Sequence, residues 1–127
     1  MPAAVSAYCE QFSTACGIPV SCEADEGVGD LSRGSALALF RIVQEALGNA
    51  AKHSAAKQII VRLNRSEDLV SLTVSDDGVG FEPTRLAAGG GLGFVMMRER
   101  ASQLNGTFEF QSAPGGGTRI RVAIPFR

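Results

Sequence analysis

The residues of this chain that could do chemistry fall into three groups. The first lies in Ser35 to Ser54, SALALFRIVQEALGNAAKHS, which reads as one long helix. At ~100° per residue, Arg41, Glu45, Asn49 and Lys52 share an arc of about 80°, with His53 at its edge. A carboxylate, an amide, an ammonium and an imidazole line up there almost without repetition, whereas a solvated helix face is usually a run of Glu and Lys. Taken alone, an amphipathic surface helix is the simpler account. The second group is Asp76-Asp77-Gly78-Val79-Gly80. It is either a tight turn, in which Asp tolerates the bend and Gly supplies positive φ, or one end of a pocket. In the pocket reading Asp76 accepts a charge-assisted hydrogen bond from an exocyclic amine, while Gly78 and Gly80 let a flat ring lie against backbone. The third group, Gly89-Gly90-Gly91-Leu92-Gly93, opens a helix. Its N–H groups either hold an anion at the positive helix end or belong to a flexible loop. Amine recognition at one point and anion binding at another is the chemistry open to these residue types.

The elements that must position these groups follow from periodicity. In the Ser35–Ser54 helix, Ala36, Leu39, Phe40, Val43, Leu47 and Ala50 make an apolar stripe roughly 100° wide. Gly48 costs that helix roughly 1 kcal/mol against Ala, for which close packing of a neighbouring element is the suggested reason. Ala3 to Cys16 is a helix carrying Val5, Cys9, Phe12 and Cys16, with Cys9 and Cys16 on one face as small buried hydrophobes, and Gly17 and Pro19 stop it. Val20 to Ala24 is a short edge strand. Gln58–Asn64 and Leu69–Ser75 form a hairpin, and the second strand alternates Val70, Leu72 and Val74 with polar residues, so one of its faces is buried. Leu92–Leu104 is a helix with Leu92, Val95, Met96, Ala101 and Leu104 on its apolar side, closed by Asn105-Gly106. Thr107–Gln111 and Thr118–Ile124 make a second hairpin. The sum is a two-layer α/β domain with helices on one face of a mixed, mostly antiparallel sheet.

Composition narrows the function classes. The chain has 127 residues, 45% hydrophobic and 20% charged, which suits one globular domain. A formal net charge of −1 and the absence of Trp give no case for nucleic acid or an anionic membrane as partner. Three cysteines, Cys9, Cys16 and Cys22, have no metal-ligand spacing and fit a reducing cytoplasm. No apolar run approaches the ~20 residues needed to cross a bilayer, and no signal peptide is present. The opening MPAAVSAYCEQF starts mid-pattern, which suggests a piece of a longer protein whose membrane anchoring is not readable here. His53 is the one histidine, and neither a Gly-x-Ser-x-Gly elbow nor a catalytic-cysteine context accompanies it, which argues against a nucleophile–base triad. The glycine cluster is not a Walker loop, because no Lys-Ser/Thr follows it. It is not a dinucleotide fingerprint either, for want of a third glycine and of a parallel βαβ frame.

Taken in order, the motifs Glu45-x-x-x-Asn49-x-x-Lys52-His53, Asp76-x-Gly78-x-Gly80, Gly89-x-Gly91-Leu92-Gly93 and Gly116-Gly117-Thr118 resemble the ATP-binding domain of sensor histidine kinases. These belong to the GHKL ATPase superfamily, together with gyrase-type and mismatch-repair ATPases. RIVQEALGNAAKHS, SDDGVGF and GFVMMRERA are most similar to the NarL/DesK-like subgroup. The resemblance spans about Gly17 to the C-terminus and implies an α+β fold of the histidine kinase/gyrase type, with residues 1–127 as a single ATP-binding catalytic domain. It implies ATP and Mg²⁺ as ligands. By matching position, Asn49 would coordinate Mg²⁺, Glu45 would orient a water or the incoming nucleophile, and Lys52 and His53 would approach the phosphates. Asp76 would receive the adenine amino group, Gly78 and Gly80 would make room for the base, and Thr118 would help hold it through an ordered water. Gly89, Gly91, Leu92 and Gly93 would form the lid hinge and phosphate cradle. The implied partners are a dimerisation and histidine phosphotransfer domain of the same kinase, which carries the acceptor histidine this chain lacks, and a response regulator downstream. The alternative is an anti-sigma-type serine kinase of the same superfamily, acting as a partner-binding switch.

Overall fold

The computed structural model describes residues 2–25, 27, 31–53, 57–66, 68–78, 92–112 and 117–125. Alternation decides the sheet. In β2 (Ile59–Arg65) and β3 (Leu69–Asp76), Ile59, Val61 and Leu63 pack beside Val70, Leu72 and Val74, all buried on one face. In β5 (Thr118–Pro125), Ile120, Val122 and Ile124 continue that face, while Arg119 and Arg121 point the other way into solvent. Two more strands, β1 (Val20–Ala24) and β4 (Thr107–Ser112), flank these. The order is β1-β2-β3-β5-β4, with β1 parallel to β2 and the other three pairs antiparallel. Because successive side chains of a strand point to opposite faces, this register gives one apolar face for helices and one polar face for water.

Helices α1 (Pro2–Cys16), α2 (Arg33–His53) and α3 (Leu92–Gln103) supply the second layer. From α2, Leu39, Ile42, Val43, Ala46, Leu47 and Ala50 enter the common core, joined by Val5 and Cys9 of α1 and Met97 and Ala101 of α3. At ~25 cal/mol per Å² of apolar surface, this shared burial is the main favourable term holding the layers together. Three helix ends have a local cause. Ser32 caps α2, its Oγ accepting from the Ser35 N–H at 3.2 Å, which starts the helix two residues before the expected Ser35. Gly17, at φ 76°, ends α1 with its N–H on the Ser13 carbonyl at 2.9 Å. Asn105, at φ 59°, ends α3: its N–H bonds Ser102 and the Gly106 N–H bonds Ala101, the paired pattern of a Schellman turn.

Four expectations need correcting. A parallel βαβ frame is present after all, because β1, α2 and β2 form one. It lies before the Gly89–Gly93 cluster, so it does not revive the dinucleotide fingerprint there. On α3, Val95 and Met96 are 52% and 41% exposed, and the buried stripe is Met97 and Ala101, with Leu104 packed against it. The run Phe94–Met97 offers two apolar stripes about one position apart, and packing on α2, β4 and β5 selects the second. Cys16 is exposed although Cys9, on the same face of α1, is buried, because the core ends before the last turn. A Cβ on Gly48 would meet nothing within 4 Å, so no neighbouring element packs closely there.

Candidate functional site

At one end of the sheet, on the helix-covered face, Ile59, Asp76 and Thr118 sit side by side on β2, β3 and β5. Asp76 occupies the final position of β3, where the strand's buried alternation would otherwise demand another apolar residue. Its Oδ1 accepts from the Gly78 N–H at 2.9 Å. The tight turn therefore exists, and it is also what fixes the Asp76 carboxylate at the end of the core. Thr118 is 7% exposed, a polar residue buried beside a carboxylate. Gly117 closes this row from behind: it has φ 79°, and a Cβ there would collide with the Asp76 carbonyl. The Gly-Gly-Thr sequence carried that signal, although no role attached to Gly117 from the sequence.

Asp77 was missed as a structural residue. Its Oδ1 accepts from the N–H groups of Lys57, at 2.8 Å, and Gln58, at 2.9 Å. The Gln58 bond, then the Lys57 bond, hold its carboxyl below the usual 3.8. The clasp fixes the start of β2 to the end of β3. Only residues 54–58 separate His53 from Ile59, and at ~3.3–3.6 Å of reach per residue they keep the last turns of α2 at this same end of the sheet.

On α2, Glu45 is exposed and Asn49, one turn later, is half-buried. The Asn49 Nδ2 is buried and makes no hydrogen bond. A buried amide left unsatisfied costs about 1–3 kcal/mol, which a purely structural position would shed. Glu45 lines a groove of about 200 Å³ between α2 and α3, together with Arg41, Gln44, Met96, Met97 and Arg100. The arginines of this groove went unassigned in the sequence, because opposite charges on a helix face read as ordinary solvation. Lys52 and His53 form the last turn of α2, and Leu92 and Gly93 open α3; the side chains of these four, and Gly80, Gly89 and Gly91 altogether, lie outside the described residues. Thus Asp76, Gly78 and Thr118 cluster at the sheet end, while Glu45 and Asn49 occupy the adjoining helix. Among the described residues no three His, Cys, Asp or Glu side chains are grouped to hold a metal, and no helix is long and apolar enough to cross a membrane.

Comparison with known proteins finds relatives along nearly the whole chain. The chain is 34% identical over 121 residues to the nitrate/nitrite sensor protein NarX of Escherichia coli K12, covering 95% of this chain and 20% of that protein. It is 39% identical over 107 residues to the sensor histidine kinase LiaS of Bacillus subtilis, covering 84% and 29%. With the oxygen sensor histidine kinase NreB of Staphylococcus carnosus it shares 34% identity over 125 residues, covering 98% and 36%. The chain thus spans about a fifth to a third of the length of these relatives. Among solved structures, the histidine kinase domain of the Erythrobacter litoralis EL346 blue-light activated histidine kinase superposes with a TM-score of 0.85 at 23% identity, over 98% of this chain and 60% of that one. The mycobacterial sensor histidine kinase MprB superposes with a TM-score of 0.71 at 21% identity, over 97% and 92%. At such identities these two likenesses speak to the fold. The sequence profile described as histidine kinase-, DNA gyrase B-, and HSP90-like ATPase matches residues 34–127, and the chain belongs to that family.

Proposed function

We propose that this chain is the ATP-binding catalytic domain of a two-component sensor histidine kinase, passing the γ-phosphoryl of Mg-ATP to a histidine on a separate dimerisation domain, from which a response regulator receives it. The observation that carries the reading is the buried, unpartnered Nδ2 of Asn49, on the helix whose end the short 54–58 connection ties to β2, beside the strand positions of Asp76 and Thr118. Matches to sensor kinases that run through nearly the whole chain, α1 included, support this reading over the anti-sigma-type serine kinase.

Each residue then has a task. Asp76, oriented by its bond from Gly78, accepts a hydrogen bond from the adenine amino group, and Thr118 holds the base through a water. Gly78 and Gly80 leave room for the ring, and Gly89, Gly91, Leu92 and Gly93 provide the lid hinge and phosphate cradle. Asn49 would present its amide oxygen, a hard donor of the type Mg²⁺ takes, and its buried Nδ2, which has no protein partner, would donate to a phosphate oxygen. Mg²⁺, held there by Asn49, would supply positive charge to offset that of the phosphates. Lys52 and His53 approach the same phosphates, and Glu45 orients the incoming nucleophile. Phosphoryl transfer depends on positioning and charge neutralisation more than on covalent chemistry, and this set supplies both. His53 belongs to the nucleotide site and is not the acceptor, so the chain alone binds ATP without autophosphorylating.

Titration calorimetry with Mg-ATP tests the adenine assignment. Asp76→Asn keeps an oxygen for the Gly78 N–H but loses the charge, so affinity falls about tenfold or more. Equal affinity for the two proteins would overturn the assignment.

A further inference from the structure

We infer that Asp77 is a positioning residue: its carboxylate ties the exit of α2, and with it the phosphate end of the nucleotide site, to the adenine end on β3. What the two ends hold rests on the ATP-binding reading above. One oxygen, Asp77 Oδ1, accepts from the Lys57 N–H at 2.8 Å and from the Gln58 N–H at 2.9 Å. The Asp77 N–H returns a longer bond, 3.4 Å, to the Gln58 carbonyl. Sheet pairing of β2 reaches no further than Ile59, which stands opposite Val20 on β1 and Asp76 on β3. Lys57 and Gln58 therefore lie beyond the sheet register, and the Asp77 side chain holds two backbone N–H groups that no strand pairs. Both bonds are charge-assisted, since Asp77 titrates below the ordinary carboxylate value.

The clasp shortens the tether between helix and sheet. Without it, residues 54–58 would separate His53 from the first anchored position; with it, only residues 54–56 do. At ~3.3–3.6 Å of reach per residue, that removes about 7 Å of slack. Backbone freedom left at this point would have to be removed when one ligand bridges both ends, so the clasp lowers the ordering cost of binding in advance. The adenine end does not depend on the clasp to the same degree. Asp76 has its own bond from the Gly78 N–H at 2.9 Å, and β5 flanks it with Thr118 directly opposite. Loss of the clasp should therefore weaken the phosphate contacts of Lys52 and His53 and spare the base. A clasp that served stability alone would affect both ends equally.

The experiment compares the native chain with Asp77→Ala and Asp77→Asn. Asparagine keeps an oxygen for the two N–H groups, and alanine keeps none. Hydrogen exchange followed by NMR reads the last turn of α2 and the Gly78 amide, and amide-shift titrations with Mg-ATP and with adenosine read the two ends of the site. In Asp77→Ala the last turn of α2 should exchange about tenfold faster, with the rest of α2 and Gly78 unchanged. Mg-ATP affinity should fall about tenfold while adenosine affinity stays within about twofold of native. Asp77→Asn should bring both readouts back to within about threefold of native. Faster exchange throughout the protein, an equal loss for Mg-ATP and adenosine, or an asparagine variant no better than the alanine one would each overturn the inference. A native chain that binds no Mg-ATP would overturn the ATP-binding reading and the inference with it. A native chain that binds Mg-ATP, with exchange and affinities unmoved in Asp77→Ala, would overturn the inference alone. Circular dichroism of both variants confirms that these readouts come from folded protein.

Discussion

Asp76 and Asp77 are neighbours in the chain but serve different parts of the structure. Asp76 lies on the helix-covered face at the end of β3, its Oδ1 on the Gly78 N–H, while Asp77 is exposed and clasps the N–H groups of Lys57 and Gln58. Alternation along the strand forces this division, because consecutive side chains cannot share a face. One carboxylate thereby lies at the end of the core, and its neighbour holds the backbone that carries it.

The Asn49 amide gives a test in which stability and function move in opposite directions. Asn49→Ala removes a buried group without a partner and installs the best helix former. The melting temperature should rise by an amount reflecting about 1 kcal/mol or more, while Mg²⁺-dependent ATP affinity falls. Calorimetry with and without Mg²⁺, beside a thermal melt, reads both. A protein that is both less stable and unchanged in affinity would point to a structural amide.

Gly48 sits in the interior of α2, with open space where a Cβ would go. Gly48→Ala should therefore stabilise by about 0.5–1 kcal/mol, through the entropy of the unfolded chain and helix propensity. Urea denaturation should shift the midpoint upward without changing the slope.

Two other glycines should respond in the opposite sense, and differently from each other. Gly117→Ala puts a Cβ into the Asp76 carbonyl at a positive φ, so it should cost more than about 1 kcal/mol and also weaken ATP binding by displacing Asp76. Gly106→Ala meets the Ala123 carbonyl oxygen at 2.5 Å and the Ile124 Cγ2 at 2.6 Å. It should destabilise comparably, yet leave the affinity of the folded fraction unchanged, because it acts at the opposite end of β5.

The Asp77 clasp predicts a pH signature. Its folded-state carboxyl titrates below the ordinary 3.8, so the clasp contributes fully above that value and is lost as pH falls through the depressed one. Asp77→Asn should be less stable than the native chain at neutral pH, and the difference should shrink to nothing in strong acid. Paired urea melts across the acid range measure it; a difference independent of pH would remove the charge from the explanation.

Much of the candidate site was legible because its residues announce themselves locally. The Glu45–His53 arc, the Asp76–Gly80 turn and the glycine motifs come in an order that carried the family, and the profile match over residues 34–127 agrees. The role of Asp77 was not legible, because its partners Lys57 and Gln58 are about twenty residues away in sequence. The buried stripe of α3 was misplaced by one position, since Val95, Met96 and Met97 are interchangeable by hydropathy and differ only in what stands opposite them.

By itself the sequence determined the helices, the strands, most of their buried faces and most of their ends, because periodicity and capping act within a few residues. Only the tertiary structure decided the order β1-β2-β3-β5-β4. The β4–β5 hairpin could have joined β3 by either strand; joining through β5 is what sets Thr118 beside Asp76. The parallel pairing of β1 with β2 was likewise decided there, because strands separated by α2 meet only once the helix has packed on the sheet.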